Sequence, residues 1–266
     1  HVRAGETELK TDLPDLFPGF ERRTIEANDM QLFCRIGGSG PPLLLLHGYP
    51  QSHVCWHKIA PRLKERFTVI AADLPGYGKS SIPPLSPDHA AYSKRAMAAA
   101  LAEMMQVLGH DRFFLCGHDR GGRVAYRMAL DAPDRVTRVA VLDILPTSDY
   151  WDRMDRLFSL KIYHWAFLAQ PAPFPEKLIG ASPVRFLEHT LASWTAAKNL
   201  TCFSKEALAD NRTWFCDPDR IAATCEDYRA GATVDYEHDR QSRESGRTID
   251  LPLLALWGDK GIASSV

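Results

Sequence analysis

The sequence predicts an α/β protein with a mostly parallel central sheet and a helical cap inserted between two core strands. Short β-rich runs alternate with longer segments of helical periodicity, which is typical of βαβ units. Four of the runs, at residues 68–72, 113–116, 136–142 and 253–256, are almost continuously apolar, as expected of strands covered on both faces. After residue 146 this alternation stops for roughly 100 residues, which is too long for a single connection between strands.

These patterns place the individual elements and divide the chain. We expect a helical cap over residues 147–246, and a core made of residues 1–146 and 247–266. An insertion at this position lies above the carboxyl ends of the strands, where it covers a ligand crevice. Helices are predicted over 92–108 and 121–130, and strands over 32–36, 43–46, 68–72, 113–116, 136–142 and 253–256.

Composition excludes several classes of partner. The 266 residues are 45% hydrophobic and 24% charged, with a net charge of −1, so no strong positive field attracts nucleic acid or an anionic membrane. Six cysteines without a CxxC pair indicate reduced thiols in a cytoplasmic protein. The longest apolar run is far too short to span a bilayer. We expect no organic cofactor and no metal, and a homodimer is one expectation for the assembly.

The sharpest catalytic signal is the segment 117–121, with the sequence GHDRG. It follows a predicted strand and opens a predicted helix, which is where a nucleophile elbow presents its nucleophile. Asp119 occupies the nucleophile's place. An aspartate that merely caps a helix is the alternative for an isolated GxDxG pattern.

A second motif, LLLLHGYP at residues 43–50, favours the catalytic interpretation. An apolar strand that ends in His-Gly precedes the first oxyanion loop of such folds. The backbone N–H groups of Tyr49 and Arg120 are then the expected oxyanion donors. We expect His47 itself to be structural.

A carboxylate nucleophile restricts the reaction class. Attack by Asp119 on a carbonyl carbon would give an anhydride, whereas attack on an sp³ carbon that bears a leaving group gives an ester that water can cleave. Haloalkanes, haloacids and epoxides are therefore the candidate substrates. Arg120 adjoins the nucleophile and Arg123 lies one helical turn further on, so both can face one pocket. Guanidinium groups match carboxylates bidentately, which indicates an anionic substrate.

Asp143 is the candidate for orienting a catalytic base, because it ends a core strand. Asp259 follows the last predicted strand and is more consistent with a turn residue.

Two surface arginines at a helix start are the alternative interpretation of Arg120 and Arg123, but cations there oppose the helix dipole.

The chain resembles the fluoroacetate (haloacetate) dehalogenases of the α/β-hydrolase superfamily. The resemblance extends over nearly all of residues 13–263 and rests on five segments: 47–51 (HGYPQ), 117–123 (GHDRGGR), 142–147 (LDILPT), 163–165 (YHW) with 170–173 (QPAP), and 225–231 (CEDYRAG). It implies an α/β-hydrolase fold and hydrolysis of a small halogenated carboxylate, with fluoroacetate as the expected substrate.

The resemblance also implies the roles of the site residues. Asp119 is the nucleophile, Arg120 and Arg123 hold the substrate carboxylate, and Asp143 orients the base. Three cap residues donate hydrogen bonds to the departing halide, namely His164, Trp165 and Tyr228. Trp194 is a further candidate for the pocket lining.

One feature of the family is not found in these 266 residues. The family's base is a histidine that follows the last core strand, and we expect it beyond Val266, together with the rest of the core. Two alternative functions stay open at this point. An epoxide hydrolase shares the aspartate and the histidine but has no use for paired arginines, and a non-enzymatic member of the fold would use the arginines as a carboxylate receptor.

Overall fold

The computed structural model describes residues 15–262 and residue 264. Within these residues one seven-stranded sheet has the order β1-β2-β4-β3-β5-β6-β7. The first two strands pair antiparallel to each other and β2 pairs antiparallel to β4, whereas all later pairings are parallel. The predicted fold class, an α/β fold with a mostly parallel central sheet, is confirmed. The strands are β1 (Glu21–Ala27), β2 (Met30–Gly37), β3 (Pro42–Leu46), β4 (Thr68–Ala72), β5 (Phe113–His118), β6 (Val136–Leu142) and β7 (Leu253–Leu256).

The α-helices fall into two groups. Those of the core are α1 (Ala60–Leu63), α2 (Lys94–Val107) and α3 (Arg120–Asp131). Those between β6 and β7 are α4 (Thr147–Asp152), α5 (Arg156–Lys161), α6 (Tyr163–Leu168), α7 (Phe174–Gly180), α8 (Pro183–Trp194), α9 (Lys205–Phe215), α10 (Pro218–Ala232) and α11 (Val234–Glu244). Short 3-10 turns occur at His53–Trp56, Ala90–Tyr92 and Pro133–Arg135.

The central strands separate two apolar clusters. Leu44 and Leu46 of β3 join the cluster that includes residues of α2 and α3, whereas Leu43 and Leu45 join a second cluster on the opposite face. Successive side chains of a strand point to opposite faces, so a strand buried on both sides is apolar at every position. Ser93 caps the N-terminus of α2, where its hydroxyl accepts the N–H of Ala96, and Gly109 lies just after the helix with a φ of 84°.

Two strands differ from the sequence-based expectation. Strand β1 was not predicted, because its sequence ERRTIEA is mostly charged and exposed, as is usual for an edge strand. Strand β7 was predicted to be covered on both faces, and this is wrong for the described residues. Leu253, Leu254 and Leu256 are 46%, 51% and 53% exposed, because β7 lies at the outer edge of the described sheet and its outer side carries no described strand.

The helices of residues 147–244 form the long insertion between two core strands that the sequence indicates. Helix α10 packs on α6, α7 and α9, and it also contacts the 3-10 turn Ala90–Tyr92 of the core. Among the described residues, no helix combines the length and the apolar character needed to cross a bilayer.

Candidate active site

Asp119 lies in a strained turn between β5 and α3. Its φ of 50° and ψ of −117° are unusual for a residue with a side chain, and such a conformation costs on the order of 1–3 kcal/mol. Flanking glycines make the turn possible. A Cβ on Gly117 would lie 2.2 Å from the carbonyl oxygen of Gly121, and a Cβ on Gly121 would lie 2.4 Å from the carbonyl oxygens of Leu46 and His47. The elbow therefore has the geometry that the GHDRG segment predicts.

The two carboxylate oxygens of Asp119 have different partners. The backbone N–H of Tyr49 donates to Oδ1 at 2.8 Å, and Nη1 of Arg123 lies 3.5 Å from Oδ2. The Asp119 side chain is 24% exposed, so a reactant can approach it. An oxygen held by a backbone N–H is placed to become the carbonyl oxygen of an ester, while the other oxygen attacks.

His47 supports the oxyanion loop from behind. Its Nδ1 donates to the carbonyl oxygen of Gly48 at 3.1 Å, and its Nε2 accepts the N–H of Leu74 at 3.0 Å. Burial lowers the pKa of His47 to about 4, so the ring is neutral at physiological pH. These contacts agree with the structural role expected for His47.

Arg120 is completely buried, and its guanidinium group is already paired. Nε donates to Oδ2 of Asp227 at 3.0 Å, and Nη2 donates to Oδ1 of the same carboxylate at 2.6 Å. Nη1 has no hydrogen-bond partner among the described residues. Asp227 therefore occupies one edge of the Arg120 guanidinium group and leaves Nη1 for another acceptor.

Arg123 is less constrained by ion pairs. It is 1% exposed and stacks over the rings of Tyr150 and Trp165, at 4.6 and 4.7 Å. Its single carboxylate contact is the 3.5 Å approach to Asp119, and its Nε has no partner in the described part of the chain. The burial of both arginines excludes the alternative of two surface residues at a helix start.

The side chains predicted to bind halide are buried in a cluster of rings. His164, Trp165 and Tyr228 are 4%, 2% and 1% exposed. The rings of His164 and Trp165 lie 5.7 and 6.0 Å from that of Tyr228. The hydroxyl of Tyr228 and Nδ1 of His164 have no hydrogen-bond partner within the described residues. Trp194 packs on His164, with 4.9 Å between the ring centroids.

Asp143 directly follows β6, at the same edge of the sheet as Asp119. Its N–H donates to the carbonyl oxygen of Leu256 at 2.8 Å, and its carboxylate accepts the N–H of Gly258 at 3.0 Å. Across residues 15–262 no histidine hydrogen-bonds to this carboxylate. Asp259 lies in the exposed turn after β7.

A cavity of 620 Å³ joins most of these groups. Its lining includes six residues that the sequence singled out: Tyr49, Asp119, Asp143, His164, Trp165 and Trp194. Arg120, Arg123 and Tyr228 are instead buried in the wall behind this lining. The cavity also contacts residues that sequence analysis did not propose, among them Tyr150, Lys161, His189, Lys198 and Lys260. No group of three or more histidine, cysteine, aspartate or glutamate side chains in the described chain is arranged to hold a metal ion.

Comparison with known proteins decides the family. Residues 41–264 match the family model of the α/β hydrolase fold. The chain belongs to the α/β-hydrolase family. A fluoroacetate dehalogenase from Burkholderia sp is 48% identical over 251 residues, which cover 94% of this chain and 82% of that protein. The predicted membership in the fluoroacetate dehalogenase family of this superfamily is thereby confirmed, and the chain is a hydrolase.

Two further proteins are similar to this chain. A soluble epoxide hydrolase from Corynebacterium sp. (strain C12) is 33% identical over 232 residues, covering 87% of this chain and 78% of that protein. A crystal structure of an α/β hydrolase from Nostoc sp PCC 7120 is 48% identical and superimposes with a TM-score of 0.89, covering 92% of this chain and 83% of that one.

Asp227 is a residue of the candidate site that the sequence analysis does not identify. Besides Arg120, its buried carboxylate accepts hydrogen bonds from the Lys94 ammonium and, at 2.6 Å, from the Tyr77 hydroxyl. Lys94 also donates to Asp235 at 3.0 Å, so two cations and two carboxylates balance within the cluster. Burial alone would raise the pKa of Asp227, but the charges of Arg120 and Lys94 lower it below its usual range. Asp227 thus fixes the orientation of Arg120 from the helical insertion.

Buried neutral histidines make the stability of this α/β hydrolase sensitive to acid. Burial lowers the pKa of His164 to about 3, from an ordinary value of 6.5. Below that ordinary value the unfolded chain takes up a proton that folded His164 does not, so the unfolding free energy decreases as pH falls. We expect a loss of on the order of 1 kcal/mol per pH unit from His164 below its ordinary pKa.

Chemical denaturation of wild type and His164→Gln at several pH values between about 7 and 5 measures this contribution, because most carboxylates stay ionised there. The variant should lose less stability over the interval than wild type. His189→Gln, at an exposed site, serves as the matched control. Identical pH dependence in wild type and His164→Gln would show that His164 is not a buried neutral base.

Proposed function

We propose that this hydrolase converts a haloacetate, with fluoroacetate as the leading candidate, to glycolate and halide through an ester on Asp119. One observation carries the proposal: two buried guanidinium groups beside the nucleophile each retain a nitrogen without a described partner, Nη1 of Arg120 and Nε of Arg123. Buried donors are costly unless an acceptor reaches them. A ligand with a carboxylate supplies that acceptor and a charge of the right sign. These donors have almost no solvent access, so the wall formed by Trp165 and its neighbours must shift slightly to admit the ligand.

In the first step the substrate carboxylate binds to Arg120 and Arg123, and Oδ2 of Asp119 attacks the α-carbon in line. A carbon–oxygen bond forms, the carbon–halogen bond breaks, and the halide leaves with the bonding electron pair. His164, Trp165 and Tyr228 donate hydrogen bonds to it. Hydrogen bonds to an ion are worth about 1.5–3 kcal/mol each, which matters most for fluoride, since it is small and strongly hydrated.

In the second step water attacks the carbonyl carbon of the ester, and glycolate leaves as Asp119 is regenerated. The negative charge that develops on Oδ1 is stabilised by the Tyr49 N–H, already at hydrogen-bond distance, and by the N–H of Arg120. Asp143 is proposed to orient the base that activates this water. No histidine within the described residues hydrogen-bonds to Asp143, so none of them is assigned as the base.

We also propose that residues 147–246 act as a cap for this reaction. The insertion supplies His164, Trp165, Trp194 and Tyr228, whereas the core supplies Asp119. Halide donors and nucleophile therefore come from different parts of the chain. Closing the pocket between them excludes water, which strengthens each hydrogen bond to the leaving group.

An epoxide hydrolase is the second candidate. The unpartnered hydroxyl of Tyr228 favours it, because a neutral phenol can donate to an epoxide oxygen, and the Corynebacterium relative carries that name. An epoxide brings no charge, however, and leaves the free donors of Arg120 and Arg123 without an acceptor. The unpartnered nitrogens of the two arginines therefore favour a haloacetate over an epoxide as the substrate.

The two candidates are separated by measuring early halide or diol release from matched substrates. We expect release from fluoroacetate or chloroacetate, and at least about tenfold less from the corresponding amides, since the amide keeps the shape but loses the charge-assisted hydrogen bonds. Styrene oxide should be converted no faster than in buffer. Equal rates on the acid and its amide would show that the arginines recognise no carboxylate, and conversion of the epoxide alone would support the second candidate.

A further inference from the structure

Tyr49 carries a second polar group that the mechanism above does not use. Its backbone N–H donates to Asp119, whereas its side chain packs against rings of the insertion. The ring lies 5.2 Å from that of Tyr228 in an edge contact, and 6.4 Å from that of His164 in a parallel one. Phe215 and Trp194 complete its surroundings, at 6.2 and 6.4 Å. The side chain thus contacts two of the three residues proposed to bind the leaving halide, His164 and Tyr228.

The hydroxyl of Tyr49 is buried and has no hydrogen-bond partner among the described residues, and the whole residue is 2% exposed. A buried hydroxyl without a partner destabilises a fold, and a phenylalanine of the same shape would avoid that cost. Two neighbours share this condition, namely the Tyr228 hydroxyl and Nδ1 of His164. Three unpartnered polar groups around one cavity wall indicate a ligand that accepts hydrogen bonds there.

Burial raises the pKa of both Tyr49 and Tyr228 well above the ordinary tyrosine value. Both phenols are therefore neutral and able to donate a proton in a hydrogen bond. Neither Arg120 nor Arg123 stacks on the Tyr49 ring, whereas both stack on Trp165. The Tyr49 ring instead contacts those of His164 and Tyr228, two of the proposed halide donors, which groups its hydroxyl with the donors to the leaving halide.

We propose that the Tyr49 hydroxyl is a further hydrogen-bond donor to the departing halide and biases this hydrolase toward fluoride as the leaving group. This inference rests on the proposed haloacetate function. The hydroxyl keeps its proton throughout, and the halide leaves as an anion with the electron pair of the carbon–halogen bond. Fluoride accepts stronger hydrogen bonds than chloride and is the poorer leaving group, so fluoride gains more from each added donor.

The test compares Tyr49→Phe with wild type on fluoroacetate and chloroacetate, measured as halide released in a single turnover. Tyr49→Phe removes the hydroxyl only and keeps both the ring contacts and the backbone N–H. Release of fluoride should fall about 10- to 100-fold, and release of chloride should fall clearly less. Tyr228→Phe, at a proposed halide donor, should change the fluoride-to-chloride ratio in the same direction.

Two controls complete the design. Tyr236→Phe removes a hydroxyl on α11 that bonds to Asp152, away from the cavity lining, and should leave the ratio unchanged. The Asp119→Asn variant measures any halide released by reaction with the cysteines. Thermal denaturation without substrate should show Tyr49→Phe to be as stable as wild type or more stable, because an unpaired buried hydroxyl is lost.

The outcomes separate the two proposals. A wild-type ratio in a folded Tyr49→Phe protein overturns the role of the hydroxyl and leaves the haloacetate function intact. An equal loss with both halides also overturns it, since the hydroxyl then acts on something other than the leaving group. Absence of halide release from every haloacetate in the wild-type protein overturns both proposals.

Discussion

Replacing Asp119 by asparagine is expected to lower halide release from haloacetate by at least roughly a thousandfold, because the amide cannot attack carbon as a carboxylate does. Asparagine keeps an oxygen that can accept the N–H of Tyr49, so the elbow and the pocket wall should persist. Binding of the substrate carboxylate should therefore be largely retained. Halide release by the purified variant, together with acetate binding by calorimetry, measures the two effects separately.

Asp111→Asn is the matched control, because it makes the same chemical change at an exposed residue. It should release halide as wild type does. Deamidation of the introduced asparagine would restore the nucleophile, so mass spectrometry must show that the amide is intact. Substantial halide release by intact Asp119→Asn protein would refute the role of Asp119 as nucleophile.

The two arginines are expected to respond differently to alanine. Arg123→Ala should lower halide release from dilute haloacetate about 10- to 100-fold, since one charge-assisted hydrogen bond to the substrate is lost, while stability changes less. Arg120→Ala should also lower the unfolding free energy by about 3–5 kcal/mol, because it leaves two buried carboxylates, Asp227 and Asp235, with Lys94 as their shared cation. Chemical denaturation and initial rates over a range of substrate concentrations measure both effects.

Lysine at position 123 keeps the charge but removes the planar donor geometry, so Arg123→Lys should fall between wild type and Arg123→Ala. The amide substrate provides a second control, because its slow reaction should be nearly insensitive to Arg123→Ala. If the two arginine variants lose activity on acid and amide by the same factor, the arginines do not bind a substrate carboxylate.

The sequence predicts the central part of the fold well, because burial on both faces leaves a distinctive pattern. Residues 43–46 of β3 and 69–72 of β4 are all apolar, and the segment GHDRG combines a strand end, a nucleophile and a helix start. Strand β1 is not predicted because it lies at the edge of the sheet. There, backbone pairing with β2 determines the structure more than burial of side chains does. The charged residues Glu21–Arg23 carry no such pattern.

Within the site, single residues are easier to predict than their pairings. Asp119 stands out because its neighbours in sequence are also its neighbours in space. Asp227 does not, since it meets Arg120 across 107 positions of sequence and nothing local indicates which carboxylate will do so. For the same reason the sequence does not indicate that Asp227 pairs with one edge of the Arg120 guanidinium group. Burial of the Tyr49 hydroxyl likewise depends on rings contributed by α6 and α10, far from the motif that contains Tyr49.

An ester on Asp119 is the central claim, and intact-mass analysis of the 266-residue chain after incubation with fluoroacetate tests it most directly. The mass should increase by one carboxymethyl group, peptide mapping should place this group on Asp119, and one halide should be released for each ester formed. Quenching with acid after a short incubation traps the ester before water cleaves it. Asp119→Asn protein should remain unmodified. Halide release with no base-labile group on Asp119, or with the carboxymethyl group on a cysteine instead, would contradict the mechanism.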